Sequence, residues 1–554
     1  KQLVFYIDSL MPVKWNPYIK AGAESWNKAF EKIGFKDVIC VKEFPKNDTL
    51  FNANSFDCMT IRYSASWLNS AQTTIHSDTR TGEILNASIL INANMISVQY
   101  ADRIGATVAI DPRVRTTVFP QEIQGELIQA AIAQAVGTGL GLTMNWGASC
   151  AYPVDSLRSA SFTQKYGLAS SVMGGVIIND VATEEDVRNG VCLVNTKPGP
   201  YDELVIKYLY QPIYASSLQE EKETLDSWIR EHTGDPYYAY IRNQSRFDSD
   251  PRNSRGSLGD DHLKSFDYML PNVRKGFENY YSWFAKEDRD FLMRRRVHSA
   301  LSERLSGRIY AILSYIGGIY LNDIREKDAI PSYSMVDREK QKAALSKALE
   351  LAKNLDWVDD TAHLNEFEIS DKKADRLRLD IFNGIFGRLP YVEVCTERFP
   401  DAAYTASEYL DDIYGIVWEG VLKHRPLENF ERALQTAFLE SIISTSTATA
   451  PIGSFKASKT GFAATGKPEI NLAALRNGGK VDMKMYSLQN AEEVAGFSSI
   501  PPIYTNQTKI AAYYFDLLMR TKDMLKKAIS TAPEADRSHY DLLIYRINKA
   551  TEIE

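Results

Sequence analysis

The chain has 554 residues, enough for about three domains, and its composition, 44% apolar with 30 tyrosines and 8 tryptophans, excludes a disordered polymer. A net charge of −7 leaves no basic footprint for nucleic acid. No apolar run approaches the ~20 residues of a membrane-spanning helix. Five scattered cysteines, Cys40, Cys58, Cys150, Cys192 and Cys395, form no disulfide framework; they read as buried thiols, and one pair could bridge in an oxidising compartment.

In chain order, Leu3 to Ile7 is an apolar run that reads as a core strand, and so abrupt a start after Lys1 predicts a further segment upstream. Residues 21–33 predict an amphipathic helix with Trp26, Phe30 and Ile33 on one side, ended by Gly34. Strand-like runs follow at 38–41 and 59–65, and a long apolar strand at 84–91 lies behind the turn Thr79-Arg80-Thr81-Gly82. Over residues 121–142, Ile123, Leu127 and Ala131, and then Ile128, Ile132 and Val136, recur at helical spacing. Gly137-Thr138-Gly139-Leu140-Gly141 superficially matches a phosphate-cradling loop. Such a loop needs a strand before it, whereas these glycines close a helix.

Residues 134–145, Gln-Ala-Val-Gly-Thr-Gly-Leu-Gly-Leu-Thr-Met-Asn, keep the frame of the zinc-protease pattern H-E-x-x-H-x-x-G-x-x-H. Gly141 is the glycine of that frame, and Met173 stands where a Met-turn would lie. Gln134, Thr138 and Met144 occupy the three ligand positions, and Ala135 that of the general base. An amide, a hydroxyl and a thioether do not offset the dehydration of zinc, and a methyl group moves no proton. None of the seven histidines, His76, His232, His262, His298, His363, His424 and His539, falls between 77 and 231. The expectation is a chain with no zinc site, no cofactor and no proteolytic activity.

The first 180 residues read as an α/β domain, 181–265 as a mixed connecting region, and 266–554 as a helical domain. Helices are predicted at 266–285, 296–321, 337–354, 374–386, 428–443 and 509–529, with a long Ser/Thr/Ala/Gly-rich loop over 444–502. The clusters Arg294-Arg295-Arg296, Asp260-Asp261 and Asp359-Asp360 read as solvated faces or helix-cap charges.

Several blocks together resemble one family. Trp26-Asn27-Lys28-Ala29-Phe30-Glu31 with Gly34-Phe35 is similar to a helix of large zinc-dependent metalloproteases typical of Bacteroidota. Asp78-Thr79-Arg80-Thr81-Gly82-Glu83-Ile84 resembles their D-P-R-T-G-E-I turn, with Thr79 for the proline. Val136, Gly137, Leu140, Gly141, Leu142 and Asn145 match H-E-V-G-H-T-L-G-L-R-H-N in frame. Ala151 to Leu157, Ser171-Val172-Met173, Gly199-Pro200-Tyr201-Asp202, Asp250-Pro251-Arg252, Leu258 to Asp261 and Ile316-Gly317-Gly318 continue the match. The departures fall on the catalytic positions, and Gly174-Gly175 replaces an Asp-Tyr after the Met-turn.

The resemblance implies a metzincin-like α/β domain, a mixed sheet with an active-site helix, followed by a large, mostly helical C-terminal region. It also implies an exported protein of the periplasm or cell surface, anchored at the outer membrane through a segment outside this chain. With the catalytic groups replaced, it implies a scaffolding or polypeptide-binding subunit of an envelope complex. The alternatives are an active zinc endopeptidase with non-standard ligands and a stand-alone module for extended peptides. Gln134 and Thr138 read first as satisfied polar residues of a core and second as the lining of a vestigial cleft; Met144 and Met173 read as core fillers. The peptide-binding edge is expected along Asn86, Ser88, Leu90, Asn92 and Asn94, unless a neighbouring segment covers it.

Overall fold

The computed structural model describes residues 2–445 and 507–551, apart from 46, 49, 69–70, 242–248, 254–256, 325–327, 364–365 and 367–371. The expected loop at 444–502 lies almost wholly outside the described residues. Two compact units divide the chain, Lys1–Tyr409 and Leu410–Glu554. The boundaries expected near 180 and 265 both lie inside the first.

The first unit opens on strand β1 (Leu3–Ile7), whose alternate residues Phe5 and Ile7 are buried. Two helices follow, α1 (Asn16–Glu24) and α2 (Asn27–Lys32), where a single helix over 21–33 was expected. The helix breaks at Ser25 and Trp26 because Trp26 is fully buried and its indole N–H donates to the Ala133 carbonyl at 2.8 Å. At the same join the Ser25 hydroxyl donates locally to Gly22 O at 2.6 Å.

Strands β2 (Ile39–Glu43), β3 (Met59–Ser64), β4 (Ala71–Ser77) and β5 (Ile84–Asn92) complete a five-stranded sheet of order β2-β1-β3-β5-β4. Every pair is parallel except β4 with β5. One face of β5 is core: Ala87, Ile89 and Ile91 are each about 1% exposed, while Ser88 and Leu90 between them are half-buried. Helices α3 (Ala93–Thr107) and α4 (Gln121–Gly139) come next. Helix α4 joins the strands, α1 and Trp26 in one core that includes Ile19, Ala23, Ile128, Ile132 and Val136. Further along, α5 (Pro200–Tyr210) packs against α2.

The helical half of this unit is built onto the α/β part. Helices α6 (His262–Phe284) and α7 (Leu292–Leu313) pack on α3. Asp180, fully buried, accepts from Arg304 Nε at 2.6 Å and Arg308 Nε at 2.8 Å, both on α7. Arg294, expected in a solvated patch, is instead buried in an ion pair with Asp288, while Asp261 caps α6 as a helix-cap charge should. His262, at the start of α6, stacks on Tyr315 with ring centroids 4.7 Å apart and bonds Pro251 O through Nε2. Burial pushes its imidazole down to about 4.

The second unit is helical. Its helices include α8 (Asn429–Thr445), α9 (Gln507–Ala528) and α10 (Glu534–Thr551), the last of which the periodicity did not reveal. Trp418 stands edge-on to Phe438 in its core, and buried Asp536 accepts from Arg432 at 2.6 Å. The architecture is thus a mixed-sheet α/β region followed by a largely helical C-terminal region. All five cysteines are free thiols. Among the described residues, no helix is long and apolar enough to cross a membrane.

Candidate functional site

The last turns of α4 carry the positions singled out in the sequence. From Ala130 to Leu140 every residue is buried except Gln134 and Thr138, which keep partial solvent access. The helix closes on a glycine-dependent turn: Gly141 sits at φ +89°, and Leu142 N–H returns to Gly137 O at 3.0 Å. The chain then doubles back so that Met144, also partly exposed, meets the first of these residues. Gln134 Nε2 donates to Met144 Sδ at 3.1 Å. Thr138 Oγ1 donates back along the helix to Gln134 O at 3.3 Å. Gln134, Thr138 and Met144 thus lie close together, each partly exposed and each of the first two hydrogen-bonded, while Met144 also packs against the hydrophobic core, as a core filler would. Ala135 faces inward and is buried.

Beneath this turn lies Met173, fully buried in the short helical turn Val172–Gly174. Its carbonyl accepts from Asn145 N–H at 3.1 Å, which fixes the returning chain over the methionine. The approach of turn and helix requires glycine at 137. A β-carbon there would stand 2.5 Å from Trp26 Cζ2 and 2.6 Å from Met173 Sδ. Gly137→Ala gains about 1 kcal/mol of helix propensity but overpacks a pinned indole, at a cost of about 1–3 kcal/mol. The expected outcome is a net loss of up to about 2 kcal/mol in chemical unfolding; a raised midpoint would show that Trp26 and Met173 can move apart.

The methionine turn is held by a residue to which the sequence assigned no role. Asp202, fully buried near the start of α5, accepts from Ser171 Oγ at 2.5 Å and from the N–H groups of Val172 and Gly199 at 2.9 Å each. Burial without a counter-cation pushes its carboxyl up to about 7, against the pull of those donors. The only local signal was Gly-Pro-Tyr-Asp, with proline in the first helical turn.

Two further segments bond to the end of α4 and its turn. On one side Thr73 Oγ1 of β4 donates to Ala135 O at 3.0 Å. On the other, the Asn145 side chain donates to Ala239 O at 2.9 Å and accepts from Ile241 N–H at 3.2 Å, standing in for a strand partner. Thr143 Oγ1 and Tyr240 OH lie 3.3 Å apart.

The expected peptide-binding edge is corrected. Strand β5 is internal, paired to β3 through Ile89–Asn92 and to β4 through Ile84–Ile91. Asn86 is buried and donates to Phe56 O and Cys58 O, and Ser88 bonds Asn86. Leu90 sits between Arg62 and Gln72 in the ladders, Asn92 is buried at the strand end, and Asn94 belongs to α3 and bonds Trp67 O. The sheet's edge strands are β2 and, next to β5, β4, Ala-Gln-Thr-Thr-Ile-His-Ser. Its lack of apolar alternation hid it from pattern reading.

The donor set does not fit a zinc ion. The three side chains at the ligand positions are a neutral amide, a hydroxyl and a thioether, and zinc takes imidazole, thiolate or carboxylate at about 2.0–2.3 Å. Among the described residues no group of three His, Cys, Asp or Glu is placed to hold a metal.

A protein-family model described as Met-zincin matches residues 116–425, a span that covers α4, its turn, Met173 and Asp202. No curated protein and no solved structure matches the chain.

Proposed function

This chain belongs to the Met-zincin family, and from that premise we propose that it is a non-catalytic member whose cleft binds extended polypeptide. The observation that carries the reading is the occupancy of an intact frame. The helix, the Gly141 turn and the buried Met173 stand in place, while Gln134, Thr138 and Met144 hold the ligand positions and Ala135 that of the base. Without a metal, water keeps a pKa near ~15, and no hydroxide forms at neutral pH.

Strand β4 supports the binding half of the proposal. Edge strands are usually guarded by lysine, proline or inward-pointing charge, and β4 carries no acidic residue, no lysine or arginine, and no proline. An unguarded edge accepts an added strand through backbone hydrogen bonds. In this reading the protein works outside the inner membrane as a scaffolding subunit of an envelope complex, as the family resemblance implies, with the cleft as one docking site.

The test pairs metal content with hydrogen exchange. Purified chain equilibrated with zinc is expected to retain under about a tenth of an equivalent by elemental mass spectrometry, against near-stoichiometric loading for an intact three-histidine site. β-Casein, an extended polypeptide, is expected to slow exchange of the β4 amides and to remain uncut. Stoichiometric zinc with casein cleavage would instead establish an active peptidase with other ligands.

A further inference from the structure

We infer that Gln134 is the reading residue of the cleft: its side-chain amide pairs with one backbone peptide group of an uncharged, extended segment lying along β4, donating from Nε2 to the carbonyl and accepting at Oε1 from the N–H. This inference rests on the strand-addition reading above and names the group that replaces the metal in it.

The placement comes first. Ala135 O is bonded by Thr73 of β4, and a β-carbon on Gly139 would stand 3.2 Å from Ala87 Cβ of β5 and 3.7 Å from Thr73 Cγ2, so these two residues face the β4–β5 end of the sheet. One residue back along an α-helix is a rotation of about 100°. Gln134 and Thr138 therefore flank that contact, and they are the only residues between Ala130 and Leu140 with solvent access. A segment added to β4 passes beside them.

The available bonds then single out Gln134. Thr138 commits its hydroxyl hydrogen to its own helix. The one bond made by the Gln134 side chain goes to a thioether, a weak acceptor. Exchanging that sulfur for a peptide carbonyl improves the bond at little cost. No described residue bonds Oε1, which leaves an acceptor free on the same planar group. A side-chain amide presenting donor and acceptor together is complementary to a peptide group, which presents the same pair in reverse.

Charge sets the class of occupant. Gln134, Thr138 and Met144, the partly exposed residues of this turn, and Thr73 beside them on β4 are all neutral. An ionised side chain at the crossing point would be desolvated without a partner. The cleft accordingly takes a stretch whose side chains at that point are apolar or hydroxylic.

The experiment measures fluorescein-labelled β-casein binding to the full chain by anisotropy, with hydrogen exchange of β4 as the second readout. Gln134→Ala removes both bonds and is expected to weaken binding about five- to tenfold. Gln134→Glu keeps the size and the acceptor, loses the donor and adds charge, and is expected to weaken it at least as much. In both variants the unliganded β4 amides exchange as in the parent chain, which separates lost recognition from lost structure. Binding with β4 protected but unaltered in both variants would overturn the role of Gln134 and leave strand addition standing. No binding by the parent chain, or β4 amides already protected by self-association without casein, would overturn the strand-addition reading itself.

Discussion

A chain carrying Gln134→His, Ala135→Glu, Thr138→His and Met144→His together is expected to bind one zinc ion per molecule, with a dissociation constant below micromolar, equivalent to more than about 8 kcal/mol. The geometry for it is present. Positions 134 and 138 are one turn apart on α4, the spacing that points two imidazoles at a single metal. The side-chain tips at 134 and 144 already meet at 3.1 Å. Two nitrogens on a tetrahedral zinc at about 2.05 Å are about 3.3 Å apart, nearly the same separation. The Gly141 turn that returns the chain and the Met173 floor beneath it need no change.

Metal content and isothermal titration on the quadruple variant and on each three-histidine subset check this. Removing any one histidine should drop affinity by at least tenfold. The Ala135→Glu change adds a carboxylate at the position of a general base, beside the metal-bound water. A well-folded quadruple variant that took up no zinc would show that the turn has drifted from ligand geometry, and the vestigial-site reading would fall with it.

How far the sequence exposed this arrangement depended on where the physics was local. Helix α4 was legible because its apolar residues repeat at 3.6, and the frame around Gly141 was legible because a left-handed turn there favours glycine. The three ligand positions could be named from the frame, but their meeting through Met144 and Gln134 is a product of the turn. Strand β4 escaped because one face never becomes a core: Gln72, Thr73 and Thr74 give no period of two in hydrophobicity. Missing it shifted the expected edge by one strand, from 71–77 to Asn86–Asn94. Asp202 escaped for a different reason. A carboxylate that staples two segments 30 residues apart has no signature in either segment. Even the split between α1 and α2 is set by an indole bonded to a carbonyl 107 positions away.

Replacing that staple is expected to cost more stability than any other single change at the site. Asp202→Ala strands the Ser171 hydroxyl and the N–H groups of Val172 and Gly199 in a dry interior, at about 1–3 kcal/mol each, for a total loss of about 3–9 kcal/mol. Asp202→Asn should cost about 1 kcal/mol or less. Its oxygen can keep both N–H bonds, and the Ser171 hydroxyl, which already accepts from Met173 N–H, can turn to accept from the new amide. The two variants also separate in pH. The Asp202 carboxyl rises from 3.8 unfolded to about 7 folded, so the native state holds a proton that the unfolded state has released. That contribution is fully present below 3.8 and is lost as pH rises through about 7.

His262 acts with the opposite sign over nearly the same range. Its folded value is lowered from 6.5 to about 4, so its contribution is present above 6.5 and lost as pH falls through about 4. In the parent chain the two slopes offset one another. Asp202→Asn removes one of them, and the variant is expected to lose stability on acidification from about pH 7 to about 4.5 more steeply than the parent. His262→Gln is expected to lose it less steeply. Urea unfolding midpoints across that range, read by tryptophan fluorescence, decide the matter. Parallel profiles for the parent and Asp202→Asn would show that the carboxyl is already ionised in the folded protein, with the three donors outweighing burial.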